Sequence, residues 1–278
     1  MKKLLFILLL TIPFVGFGQS WEVFFGGPGQ QYGGSVQQTS DGGYIFCGYE
    51  HWSVGDFHLV KIDSIGNQQW NQIFGGNDGG RSVKQTNDGG YIICGETTVI
   101  KTDINGNFQW SQSYGITYRT SIEQTNNGGY IISGISYDTI TNQENIILIK
   151  TDNIGNQQWS QIFQGGQWWG NTDVKQTYDG GYIITGTSVN QDMYLIKTDL
   201  NGILEWNQSF GGTNIEHGNS VYQTDDNGYV ICGTSRYDYQ STNNSDLFLV
   251  KTDSIGDTLW TKSFGNDNNT SWGFGIDY

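Results

Sequence analysis

Apolar residues in this chain fall in short runs rich in Val, Ile, Phe, Tyr and Trp, and every run stops at a turn signal. That spacing predicts strands, since branched and aromatic side chains suit a pleated, packed surface. In the first stretch the runs are a (Ser35 to Thr39), b (Tyr44 to Tyr49), c (Phe57 to Ile62) and d (Gln69 to Phe74). Between a and b lies Asp41-Gly42-Gly43, a hairpin signal because the turn needs a positive φ that glycine adopts freely. Between c and d lies Asp63-Ser64-Ile65-Gly66, with Asp first and Gly fourth as a type I turn prefers. Run b is apolar on both faces, as in Tyr91-Ile92-Ile93-Cys94, so both of its faces should be covered. No helical period follows the first residues.

The pattern recurs. Lys-x-Asp-x-x-Gly, with Trp four positions later, occurs at Lys61 to Trp70, Lys101 to Trp110, Lys150 to Trp159, Lys197 to Trp206 and Lys251 to Trp260. Repetition at this spacing signals a solenoid, propeller or array, and a four-stranded meander repeated in this way is a propeller blade. The expectation is an all-β propeller of five complete four-stranded units, about 35–76, 82–115, 121–166, 174–212 and 219–265, with partial strands at both ends. Trp21, Trp70, Trp110, Trp159, Trp206 and Trp260 are assigned to packing between blades, each indole burying roughly 150 to 250 Å².

The Asp-x-x-Gly-x-x-x-Trp phrase resembles the tryptophan-docking motif of quinoprotein-like propellers, with the Asp-to-Gly gap one residue shorter. Together with the Asp-Gly-Gly-Tyr repeats it is also similar to exported bacterial propeller proteins, relatives of which often carry a C-terminal secretion sorting domain that is absent here. The resemblance spans Trp21 to about Phe264. It implies architecture and export, and it implies no quinone, whose metal ligands and covering basic residue have no counterpart in the sequence.

Residues 1–19 read as a signal peptide: two lysines, an apolar run from Leu4 to Val15, then Gly16 and Gly18. The run is too short to span a bilayer. The propeller domain is then 20–278, secreted or held at the cell surface. Without Lys2 and Lys3, the 13 basic residues shrink and the net charge becomes −16. Such a surface repels phosphate backbones and anionic lipids, so nucleic acid and membrane insertion are not expected, and a monomer is. The opening strand d (Trp21 to Phe25) and the final Ser271 to Tyr278 suggest either a shortened longer chain or a five-bladed ring with untidy ends. Cys47, Cys94 and Cys232 share one repeat position a unit apart, which suggests buried thiols rather than bridges or metal ligands.

Residues that repeat in every unit are scaffold; those that break the repeat are the candidates. The a-b and c-d turns are nearly constant and share one end. The b-c and d-a connections vary and share the other. That variable end gathers His51, Trp52, Tyr137, Tyr237, Tyr239, Tyr32, Tyr118, the Trp168-Trp169 pair and Glu216-His217. Trp52, Tyr118, Trp168, Trp169, His217 and Tyr237 are the expected ligand contacts, since flat rings beside amides suit a sugar face. The bland alternative has Trp168 and Trp169 plugging the channel. The repeated lysines are expected to pair with the aspartate two residues on, or with an acid of the next blade.

No catalytic residue is assigned. His51, His58 and His217 lack a nucleophile context such as Gly-x-Ser-x-Gly, and most acids sit in turns. Asp152 to Asn156 and Asn266 to Asn269 offer oxygen ligands but miss the calcium-loop pattern; no metal site or cofactor is predicted, and calcium alone stays open. The reading is a secreted, non-catalytic binding or adhesion scaffold for polysaccharide or a surface protein. The alternatives are a glycan-active hydrolase or lyase, and a structural spacer.

Overall fold

The computed structural model describes residues 31–50, 55–76, 78–167, 170–236 and 245–265. These residues contain twenty strands and no helix. They form five antiparallel sheets of four strands, each in sequence order. Blade 1 is β1 (Gln31–Gln38), β2 (Tyr44–Glu50), β3 (Phe57–Ile62) and β4 (Gln68–Phe74). Blade 2 is β5 (Ser82–Gln85), β6 (Tyr91–Cys94), β7 (Thr98–Thr102) and β8 (Phe108–Ser113). Blade 3 is β9 (Tyr118–Gln124), β10 (Tyr130–Asp138), β11 (Gln143–Thr151) and β12 (Gln157–Gln164). Blade 4 is β13 (Asp173–Gln176), β14 (Tyr182–Thr187), β15 (Met193–Thr198) and β16 (Leu204–Phe210). Blade 5 is β17 (Ile215–Gln223), β18 (Tyr229–Arg236), β19 (Ser245–Thr252) and β20 (Thr258–Phe264).

The first strands of consecutive blades lie side by side, which makes the fold a β-propeller. Its core is the set of seams between blades. Ile45, Cys47 and Leu59 of blade 1 pack on Val83, Tyr91 and Ile93 of blade 2, and each fully buried aliphatic chain contributes about 1.5–3 kcal/mol. The seam residue of strand a is fully covered at Val83, Ile122, Val174 and Val221, whereas Val36 is 57% exposed. Among the described residues, no strand of blade 5 shares with blade 1 the contacts that consecutive blades make with one another.

Trp70, Trp110, Trp159 and Trp206 reach forward onto Tyr91, Tyr130, Tyr182 and Tyr229 of the next blade, centroid to centroid 5.6 to 5.9 Å. Each indole also covers the glycine of that blade's c-d turn: a Cβ on Gly106 would come within 2.7 Å of Trp70. The turn glycine therefore serves two ends, a φ of +79° and a flat floor for the indole. Trp260 is 40% exposed with no such floor among the described residues; Trp21 lies outside them.

The lysines correct the expected pairing. Lys61 is 3% exposed and its Nζ lies 2.9 Å from Asp41, in the a-b turn of its own blade. Lys101 meets Asp88, Lys197 meets Asp179 and Lys251 meets Asp226 in the same way. Strand c runs antiparallel beside strand b, so its last lysine arrives beneath the turn that opens b. The ammonium fills the space over the second glycine, where a Cβ on Gly129 would stand 2.6 Å from Lys150 Nζ. In blade 3 the partner is an amide, Asn127 Oδ1 at 3.2 Å. Burial then holds the Lys150 ammonium below its ordinary pKa.

Strand a begins earlier than expected. Its register shifts between Gly33 and Ser35, and beyond that bulge Gln31 to Gly33 continue to pair with β2. The same shift occurs between β9 and β10 and at Gly218/Ser220. Tyr32, Tyr118 and His217 are therefore strand residues, not loop residues.

Candidate functional site

Counting back three residues from the first paired Ser or Asp beyond the bulge (Ser35, Ser82, Ser121, Asp173, Ser220) gives Tyr32, Gly79, Tyr118, Gly170 and His217. This single repeat position runs along the inner rim of the variable end, and in blades 1, 3 and 5 it pairs on strand b with Tyr49, Ile135 and Thr234. Where the column holds a ring, the bulge presents it to the rim; where it holds Gly79, it makes room for Tyr49 of the preceding blade.

At the junction of blades 1 and 2 the Tyr32 and Tyr49 rings stack at 5.2 Å with 21° between planes. The Arg81 guanidinium lies 4.7 Å over the Tyr49 ring, and its Nη1 donates to the Tyr49 hydroxyl at 3.1 Å. Nη2 pairs with Glu96. A Cβ on Gly79 would strike the Tyr49 ring, so glycine there admits the stack. Both tyrosines are half-buried, and the Glu96 carboxylate is 42% exposed. The result is a partly open, electrically balanced platform of two flat rings edged by a guanidinium and a carboxylate.

Tyr118 is half-buried against the seam of blades 3 and 4, and its hydroxyl donates to Glu144. His217 is buried, with Nδ1 at 2.9 Å from Thr187 Oγ1 across the seam of blades 4 and 5. Tyr137 is 46% exposed on the long β10-β11 hairpin. Trp52, Trp168, Trp169 and Tyr237, with His51 and Tyr239, lie outside the described residues.

Three residues central to this end escaped the sequence reading. Arg81 and Tyr49 were hidden because their contact joins two units across the seam. Asp173 carried a legible signal: it is the one acid in a column otherwise made of serine. It is buried at the inner strands, where Ser121 Oγ at 2.7 Å and Ser220 Oγ at 3.1 Å donate to it from the blades on either side, and Lys175 Nζ lies at 3.1 Å. Burial pulls its pKa up, yet Lys175 and the Ser121 hydroxyl prevail, so the carboxyl stays below its ordinary range. Asp152, weighed as a calcium ligand, spends its oxygens on Ile154 N, Asn156 N and Asn156 Nδ2. Among the described residues no three His, Cys, Asp or Glu side chains gather as a metal cluster.

Cys47, Cys94 and Cys232 are free, buried thiols. Burial pushes Cys94 up to about 12 and raises the other two, which leaves them inert at neutral pH.

No family model matches the chain, and no curated protein is similar to it. Solved structures share its fold at low identity. A protein of unknown function from Bacteroides caccae is 15% identical, with a TM-score of 0.57 over 84% of this chain and 82% of that one. The Pan2 WD40 domain of Neurospora crassa is 12% identical, with a TM-score of 0.62 over 84% of this chain and 66% of that one. A protein of unknown function from Dyadobacter fermentans is 11% identical, with a TM-score of 0.55 over 86% of this chain and 85% of that one. These likenesses speak to the propeller fold, and a fold hosts many functions.

Proposed function

We propose that the protein is a secreted, non-catalytic binding scaffold whose variable end takes an uncharged polysaccharide. The observation that carries this reading is the Tyr32-Tyr49-Arg81-Glu96 platform, which no other unit repeats among the described residues. A pyranose offers one apolar face to an aromatic ring and a rim of hydroxyls to polar neighbours. Arg81 is already matched by Glu96, and a chain of net charge −14 repels polyanions, so a neutral glycan suits the platform better than an acidic one. Export rests on the signal-peptide layout of residues 1–19.

The test is a glycan array probed with the wild-type protein and with Tyr32→Ala, whose ring stands partly open, while reducing-sugar release is followed in parallel. Binding that falls at least tenfold in the variant, with no sugar released, supports the reading. Release of sugar replaces it with a hydrolase or lyase. Capture of a surface protein with no glycan bound replaces the ligand class.

A further inference from the structure

At the seam of blades 4 and 5 two carboxylates meet. Asp192 immediately precedes β15, with its amide held by Ser188 Oγ at 3.1 Å. Glu216 lies in β17, with its amide donating to the Gln191 carbonyl at 2.8 Å. Its side chain is 4% exposed. Ser235 Oγ donates to Glu216 Oε1 at 2.8 Å, while no donor reaches Oε2 in hydrogen-bonding geometry. A Cβ on Gly211 would run into Glu216 Oε2 and Asp192 Oδ1 at once, so these two oxygens are near neighbours over one glycine.

The repeat shows how unusual this is. In the second unit the residue equivalent to Glu216, four before the strand-a serine, is Asp78. That carboxylate is satisfied by the amides of Glu96, Thr97 and Thr98. Glu216 is one methylene longer and reaches instead toward the carboxylate of the preceding blade. The Gly212 amide also lies near the Glu216 carboxylate. A buried oxygen without a hydrogen bond, facing a half-buried carboxylate of like charge, is what an oxygen-preferring cation would relieve.

We propose that Asp192 Oδ1 and Glu216 Oε2 form a divalent cation site of the calcium type that clamps blade 4 to blade 5, with water and backbone carbonyls completing the shell. Two carboxylates give a weak site, with a Kd on the order of 0.1–1 mM, in the range of extracellular modules.

The experiment uses calcium chloride itself on the full protein after chelator treatment, with sodium chloride of equal ionic strength as the reference. At 10 mM calcium the melting temperature is expected to rise by about 3–8 °C, as linkage at such a Kd requires. Equilibrium dialysis should find one ion per chain. In Glu216→Gln and in Asp192→Asn the rise and the bound ion should disappear, while Asp225→Asn, an exposed turn residue, keeps both. No rise in the wild type, or an equal rise in Glu216→Gln and Asp192→Asn, overturns the site. Should one variant fail to fold, the other together with the dialysis count decides.

Discussion

Lys150 shows how one side chain tests the logic of all five repeats. Its four counterparts each lie under an ionised aspartate, and it alone lies under an asparagine. The buried ammonium keeps the Thr151 carbonyl at 2.8 Å, but burial outweighs the pull of the more distant Asp152 and depresses its pKa. A lysine whose folded value lies below its unfolded 10.5 weakens the fold at neutral pH, and stability recovers as pH climbs through the depressed value toward 10.5. Asn127→Asp should therefore stabilise the protein at pH 7 by about 1 kcal/mol, the scale of one charge-assisted hydrogen bond. Urea midpoints at pH 7 and 10 read this directly: the variant should lose the alkaline gain. An unchanged midpoint at both values would mean that the amide already serves as well as the acid.

The position of that lysine was plain in the sequence, and its partner was not. Asp63 is two residues from Lys61 and Asp41 is twenty away, yet strand geometry brings the distant one close. Asp63 instead caps its own turn through Ile65 N and Asn67 N at 3.0 and 2.8 Å. Tandem glycines were readable as a turn, but the need for the second one arises from the ammonium above it, a contact no linear pattern reveals.

Between elements, consecutive blades are joined by two devices that both point forward along the chain. The indole of strand d covers the tyrosine and turn glycine of the next blade. At the constant end the strand-a glutamine of one blade accepts the turn amide of the blade before it: Ser40 N to Gln85 at 2.8 Å, Asn87 N to Gln124 at 2.7 Å, Asn126 N to Gln176 at 2.8 Å and Tyr178 N to Gln223 at 2.8 Å. The indoles were legible because tryptophan is rare and repeats in phase. The glutamines were overlooked, since a polar residue in a strand reads as a solvated one until the neighbouring blade is in place. Trp110→Ala should cost about 3–5 kcal/mol by opening a cavity in a closed seam. Trp260→Ala, which removes a half-exposed ring lying 5.5 Å from Lys262 Nζ, should cost under about 1 kcal/mol. Chemical denaturation of the pair ranks them, and equal losses would show that Trp260 has a seam of its own.

For the whole molecule, acid sets the limit of stability. The Thr39 hydroxyl and Lys61 hold Asp41 at about 2, and Thr224 and Lys251 hold Asp226 at about 2, against an ordinary 3.8. Turn hydrogen bonds hold Asp63, Asp103 and Asp199 below 3.8 as well. Carboxyls depressed in the fold stabilise it above 3.8, and that contribution is lost as pH falls through 2. Glu123, Asp192 and Glu216 act the other way: burial raises each, so their charged forms weaken the fold at neutral pH and protonation relieves it. Urea midpoints should therefore rise slightly from pH 7 toward 5 and then fall steeply below 4. A flat profile from pH 5 to 2 would contradict the turn pairing. The propeller as a whole was foreseeable because five copies of one pattern reinforce one another, whereas the platform at Tyr49 and Arg81 exists only where two unlike copies touch.

The forward-pointing joints have an evolutionary reading. Each blade carries a complete plug on one side and a complete socket on the other, built from residues present in every copy. Duplicating or deleting a copy leaves every remaining fastening between neighbours intact, so a lineage can change the number of blades without inventing a new interface. What such an event does alter is which rim residues become neighbours, and new specificity would begin there.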